Sequence, residues 1–205
     1  AYDLAVISCE VMKHPVITKY STIWLDSLRG GKTELNNTNK LVKSYNGITG
    51  LKTGTTSNAG FCVSATASRD GLNLVAVVLG SDTSEHRFNT ASYLLDTGFA
   101  NYSCININVD KKKIKPVKVK NGKEKQIKPV YDKNIKLIVP KGNDDLKYKY
   151  KSKKEVKAPI KKGDNLGKIN IISNGKKIKS ISLYADKAVE TIDFNYIFLN
   201  IFKHI

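Results

Sequence analysis

Cysteine, arginine and long apolar runs are the things this chain has little of. Its three cysteines, Cys9, Cys62 and Cys104, are odd in number and far apart. That excludes a disulfide framework and any Cys-x-x-Cys metal site. Cys62 lies in the apolar run Phe61-Cys62-Val63, which predicts a buried, inert thiol. The histidines, His14, His86 and His204, are scattered and are read as solvated or capping residues rather than catalytic ones. No run approaches the ~18 apolar residues of a membrane-spanning helix. No secretory leader opens the sequence; Ala1 leads straight into an amphipathic pattern. Composition alone leaves open a cytoplasmic chain or one whose leader lies upstream. The apolar fraction is 40% and the mean hydropathy −0.32, which allows a packed core in a protein of 205 residues.

Acidic residues are scarce in one half only. Residues 1–101 hold 9 Lys+Arg and 8 Asp+Glu, whereas 102–205 hold 26 and 10, so +16 of the net +17 lies in the second half. The excess is lysine; arginine occurs only as Arg29, Arg69 and Arg87. Lysines are point charges without the forked geometry of arginine, so the composition fits either a weakly selective polyanion surface or a lysine-rich solvated face. Nucleic acid is disfavoured, because aromatics do not interleave with the basic residues as a stacking platform requires.

Periodicity divides the chain in the same place. Leu4, Ile7 or Ser8, and Val11 predict a first helix that stops at His14-Pro15. Gly30-Gly31 marks a turn between short strands, and Asn37 and Asn39 are read as tying down the loop that follows, the alternative being that they line a cleft. Phe61–Ala67 and Leu72–Leu79, joined at Arg69-Asp70-Gly71, predict an antiparallel hairpin. Residues 83–97 predict a helix with Phe88, Ala91 and Leu95 inward, Asp82-x-x-Glu85 as its capping box and Gly98 as its terminator. Arg87, on that helix, is read as structural. Beyond residue 101 come short alternating segments separated by turns such as Asn121-Gly122, Lys141-Gly142 and Asn174-Gly175, which predict a small β-sandwich. Residues 102–191 are expected to form this basic domain. Residues 192–205, with Phe194, Ile197, Phe198, Ile201, Phe202 and Ile205 on one helical face, are expected to be an amphipathic, membrane-facing tail, the alternative being a terminal helix docked on its own domain.

The chemistry concentrates at Lys52-Thr53-Gly54. Alone the triplet is a weak signal. Its neighbours add specificity: Asn37-x-Asn39-x-Leu41, then GITGLKTGTTSNAG over residues 47–60, then SATASRDGLNLVAVVLG over 64–80, then Leu94-Leu95-Asp96-x-Gly98-Phe99. In this order the segments resemble the low-molecular-mass penicillin-binding D-alanyl-D-alanine carboxypeptidases. Ile138-Val139-Pro140-Lys141-Gly142 and Ala158-Pro159-Ile160 resemble the β-rich module that follows the catalytic domain in that family.

The resemblance implies an α+β fold: part of a transpeptidase-like domain over 1–101, an antiparallel sheet packed with helices, followed by an all-β sandwich. It implies serine chemistry through an acyl-enzyme, built on Ser-x-x-Lys, Ser-x-Asn and Lys-Thr-Gly. Lys52 is then the catalytic member, supplying positive charge and a hydrogen bond. Thr53 binds the substrate's terminal carboxylate, Gly54 lets the ligand approach the backbone, Thr55 lies beside them, and the Thr56 N–H is the expected oxyanion donor. The implied partners are a peptidoglycan stem peptide, β-lactam antibiotics and, through the C-terminal helix, the outer face of the cytoplasmic membrane; the resemblance implies no metal or organic cofactor.

The chain departs from the family pattern in one respect. Ser173-Asn-Gly-Lys176 and Ser44-Tyr-Asn46 fit the first two motifs only literally, the former on a turn and the latter just before Lys52. Both are read as coincidence. The expectation is a chain inactive by itself; the alternative is a non-catalytic module that binds cell wall or membrane surface.

Overall fold

The computed structural model describes residues 1–142 and 145–202, with side chains described through Phe198. It divides into two compact units. One comprises Ala1–Ile105 and Ile138–Lys141, the other Asn106–Leu137 and the chain from Gly142 onward.

The first unit begins with two helices rather than one, α1 (Tyr2–Val11) and α2 (Pro15–Ser21). Pro15 does end α1, but it also starts α2, because a first helical residue needs neither its own N–H nor a free φ. The predicted turn at Gly30-Gly31 joins β1 (Leu25–Leu28) to β2 (Thr33–Asn36). A single turn, α3 (Leu41–Ser44), follows; it is too short to leave a periodic signature.

The centre of this unit is an antiparallel meander of β3 (Ile48–Thr56), β4 (Gly60–Arg69) and β5 (Leu72–Ser81), in that spatial order. Side chains on neighbouring strand positions point to opposite faces, and β4 shows the consequence. Val63, Ala65 and Ala67 enter a core shared with Phe88, Ala91, Leu95 and Phe99 of α4 (Ser84–Asn101). Ser64 and Thr66 face α1 instead: the Ser64 hydroxyl lies 2.7 Å from that of Ser8, and Thr66 bonds Met12 Sδ. The sheet is therefore sandwiched between α4 and α1.

Two expectations for α4 are corrected. Its N-cap is Thr83, whose hydroxyl accepts from the His86 N–H at 3.1 Å, not Asp82. Gly98 does not end the helix, which runs on to Asn101. The residue is small because the sheet is close: a Cβ there would stand 2.6 Å from a Leu74 methyl. Cys62 also differs from expectation, being half-buried, with its thiol donating to the Ala59 carbonyl.

β6 (Tyr102–Asn106) leads out of this unit, and β9 (Lys136–Pro140) pairs with it. In the second unit, a 3-10 turn (Lys111–Lys113) precedes β7 (Val117–Lys120) and β8 (Gln126–Ile127). β11 (Glu155–Lys157) pairs with β7 in parallel, giving the order β11-β7-β8. β10 (Leu146–Ser152), β12 (Asn165–Ser173) and β13 (Lys176–Tyr184) form an antiparallel sheet with β12 in the middle. Leu166 of β12 shares a core with Val117, Val119 and Ile127 of the other sheet, so alternation packs sheet on sheet.

The last element, α5 (Phe194–Phe202), is capped by Asp193, whose carboxylate accepts from the Tyr196 N–H. Lys203, His204 and Ile205, and the side chains of Ile201 and Phe202, lie outside the described residues. No helix among the described residues is long and apolar enough to cross a membrane.

Candidate active site

Lys52-Thr53-Gly54 occupies the middle of β3, and β3 is an edge of the meander, paired among the described residues only with β4. An edge strand leaves every second backbone N–H and C=O unpaired, which suits it to take an extended peptide alongside. Its consecutive side chains divide between two faces. Lys52 is exposed on the face of α1, and its ammonium folds back onto the Thr53 carbonyl. Thr53 turns the other way and is 8% exposed, with its hydroxyl 2.6 Å from that of Thr38. Gly54 has no atom within 4 Å of where a Cβ would stand. Thr55 is directed toward α4. Thr56 closes the strand, and its hydroxyl accepts from the Ala59 N–H at the turn. A shallow depression of about 540 Å³ lies at this end, lined by Thr55, Thr56, Asn58 and Ser81 among others.

The loop carrying Thr38 is held by its two neighbours. Asn37 donates through Nδ2 to the carbonyls of Ser21 (3.1 Å) and Ile23 (2.8 Å), and its Oδ1 accepts from the Asn39 N–H. Asn39 is buried, and its Oδ1 accepts from the Leu41 N–H. The two asparagines are structural; what they present is the hydroxyl of Thr38, which sequence reasoning passed over.

Arg87, read from the sequence as structural, holds the strand from behind. It is 6% exposed, and no carboxylate pairs with it among the described ion pairs. Its Nη1 donates to the Gly54 carbonyl (3.3 Å), the Thr55 hydroxyl (3.1 Å) and the Cys62 carbonyl (3.2 Å), while Nη2 donates to the Ser84 hydroxyl. The guanidinium lies against the Phe88 and Phe61 rings, 4.7 and 5.4 Å from their centroids. Burial lowers its pKa from the ordinary arginine value. Arg87 thus clamps β3 to β4 and puts buried positive charge directly behind Thr55. The signal was available: Arg87, Ala91, Leu95 and Phe99 recur every fourth residue, so the arginine stands on the apolar stripe of α4.

Comparison with known proteins bears on the chain's family. Residues 1–83 match the family described as D-alanyl-D-alanine carboxypeptidase, and residues 102–191 match the C-terminal domain of penicillin-binding protein 5. D-alanyl-D-alanine carboxypeptidase DacF of Bacillus subtilis (strain 168) is 33% identical over 199 residues, 95% of this chain and 51% of that protein. DacC of Escherichia coli (strain K12) is 29% identical, over 93% of this chain and 48% of that protein. The crystal structure of penicillin-binding protein 5 from Haemophilus influenzae superposes with a TM-score of 0.76 at 28% identity, covering 92% of this chain and 56% of that one. The chain therefore spans about half the length of the curated relatives it matches. With both of its halves matched in the order found in those proteins, the chain belongs to the low-molecular-mass penicillin-binding proteins of the D-alanyl-D-alanine carboxypeptidase type.

Proposed function

We propose that this chain supplies the Lys-Thr-Gly wall of a serine D-alanyl-D-alanine carboxypeptidase, which removes the terminal D-Ala of peptidoglycan stem peptides and is acylated by β-lactams. The observation that carries the reading is the position of Lys52-Thr53-Gly54 at the centre of an open edge strand. The substrate lies extended along β3, its terminal carboxylate toward Thr53 and Thr55, where Arg87 and Lys52 set a positive potential. A serine hydroxyl, supplied by polypeptide outside these residues, attacks the penultimate carbonyl. Its proton passes through a neighbouring amine to the departing D-Ala nitrogen, and water then cleaves the ester. Backbone N–H groups at the Thr55–Thr56 end of the edge strand hold the oxyanion.

The surface of α1 supports the need for a second wall. Tyr2, Leu4, Val6 and Ile7 are all exposed although the helix is apolar around most of its circumference, a composition characteristic of a helix covered on all sides. The enzyme is placed outside the cytoplasmic membrane. Residues 192–205 form its membrane-facing tail: Phe194, Ile197 and Phe198 are exposed on α5, as in a helix lying at a lipid interface.

Labelling with a fluorescent penicillin tests the proposal. The chain alone is expected to stay unlabelled. Joined to the upstream part of its own gene product carrying Ser-x-x-Lys, it is expected to become labelled, and Lys52→Ala is expected to cut that labelling at least a hundredfold. Labelling of the isolated chain, or full labelling of the Lys52→Ala protein, sinks it.

A further inference from the structure

The lysines of the second unit are not evenly spread, and one sheet face collects them. On β10, Lys147, Lys149 and Lys151 are exposed and alternate with the half-buried Tyr148 and Tyr150. Register places Lys149 beside Asn170 and Ser180, Lys151 beside Lys168 and Ser182, and Lys147 beside Ile172 and Lys177. One face of β10-β12-β13 therefore carries five ammonium groups set among two hydroxyls, an amide and the side chain of Ile172. Successive lysines on β10 are roughly 6.5–7 Å apart, and rows on adjacent strands about 4.8 Å apart. Among the described residues, the one acidic contact on this face is Asp145, 3.2 Å from Lys147 at its end. No ion pair is recorded for Lys149, Lys151, Lys168 or Lys177 among the described residues.

A lysine row on an edge strand also serves to deter pairing with a second sheet, and that accounts for β10. It does not account for Lys168 on the central strand or Lys177 on β13. Five like charges held at this spacing repel one another, and a ligand of opposite charge relieves the repulsion. We infer that this face binds a flexible, base-free polyphosphodiester, one ionised phosphate following another along the lysine row. Lysine binds phosphate as a point charge and does not require the forked geometry that arginine provides. Nucleic acid fits less well, since the face presents no aromatic ring for a base to stack on: both tyrosines of β10 point to the other side. A lipid surface fits less well too, because the twist of a β-sheet turns successive rows of side chains out of a common plane, whereas a flexible chain follows the twist. The inference does not depend on the groove at β3 being catalytic.

Binding of the 205-residue chain to synthetic poly(glycerol phosphate), measured between 50 and 200 mM salt, tests this. The triple variant Lys149→Gln, Lys151→Gln, Lys168→Gln is expected to bind at least about tenfold more weakly, with the slope of log K against log salt reduced by about 2. A control triple, Lys111→Gln, Lys112→Gln, Lys113→Gln, removes the same charge from the 3-10 turn and is expected to weaken binding less than about threefold. In the unaltered chain, where no variant needs to fold, the polymer is expected to protect Lys149, Lys151 and Lys168 from an amine-reactive label. Equal losses in the two triples, no protection, or tighter binding of oligothymidylate or anionic phospholipid vesicles through these same lysines would each overturn the inference.

Discussion

Gly54 and Arg87 hold the same strand for different reasons, and substitution separates them. Among the described residues nothing occupies the space where a Gly54 side chain would go, and its φ is not in the left-handed region. The fold therefore tolerates Gly54→Ala, while a ligand lying against the backbone does not. Gly54→Ala is expected to leave the melting temperature within a degree or two of the parent, and to cut penicillin labelling of the full-length protein by an order of magnitude or more. Arg87→Ala acts on the fold itself. It leaves the Gly54 and Cys62 carbonyls and the Thr55 hydroxyl without their shared donor. Losing such a buried network costs about 2–4 kcal/mol, readable by urea unfolding. Arg87→Lys restores the charge but not the fork and is expected to recover less than half of the loss. The identity of the triplet was legible in the sequence, because it rests on residue names in order. The facing hydroxyls of Thr38 and Thr53 were not: they lie 15 residues apart and meet only because Asn37 and Asn39 fix the intervening loop.

Elements were legible where their period survived. The hairpin of β4 and β5 and the inward stripe of α4 followed from spacings of two and of three to four. The helix termini did not, since they depend on which hydroxyl reaches a free N–H and on how near the sheet approaches Gly98. A further long-range link, invisible to periodicity, ties the end of α3 to α4. The Tyr45 hydroxyl donates to Asp96 Oδ1 at 2.7 Å, and Arg69 covers the rings of Tyr45 and Phe99 at 4.7 and 4.5 Å while lying 3.6 Å from Asp96. Burial first, and then the bond to Asp96, push the Tyr45 pKa up to about 12. The sign follows from linkage. The unfolded chain loses this proton near pH 10 and the folded one retains it, so the contribution is complete below pH 10 and is lost progressively between pH 10 and about 12. Tyr45→Phe is expected to be less stable at neutral pH and to show a shallower alkaline decline in denaturant midpoint. Tyr150 and Tyr184, whose pKa values are also raised, leave some decline in place. An unchanged slope in Tyr45→Phe would remove this link.

At the scale of the whole molecule the contrast is between the surfaces of the two units. The second unit encloses its apolar residues between sheets and turns lysines to water, as its alternating strands announced. The first unit buries one face of its sheet well, under α4, and leaves α1, α2 and the β1–β2 hairpin with Tyr2, Ile7, Val16, Tyr20, Leu25 and Leu28 more than half exposed. A β-meander with a thin cover on one side opens locally at low cost, because few buried contacts resist it. Upstream polypeptide that completes the groove would bury these side chains and stabilise the elements carrying them in proportion to the area covered. Hydrogen exchange should therefore slow in residues 2–21 and 25–36 when the isolated chain is compared with the full-length protein, by tenfold or more at the slowest amides. Exchange in β12 and β13 should stay unchanged, since their core is already closed by Leu166, Ile169, Ile171, Ile181 and Leu183. Equal slowing in both units would mean global stabilisation rather than a completed wall, and no slowing in residues 2–21 would leave the apolar face of α1 without the partner proposed for it.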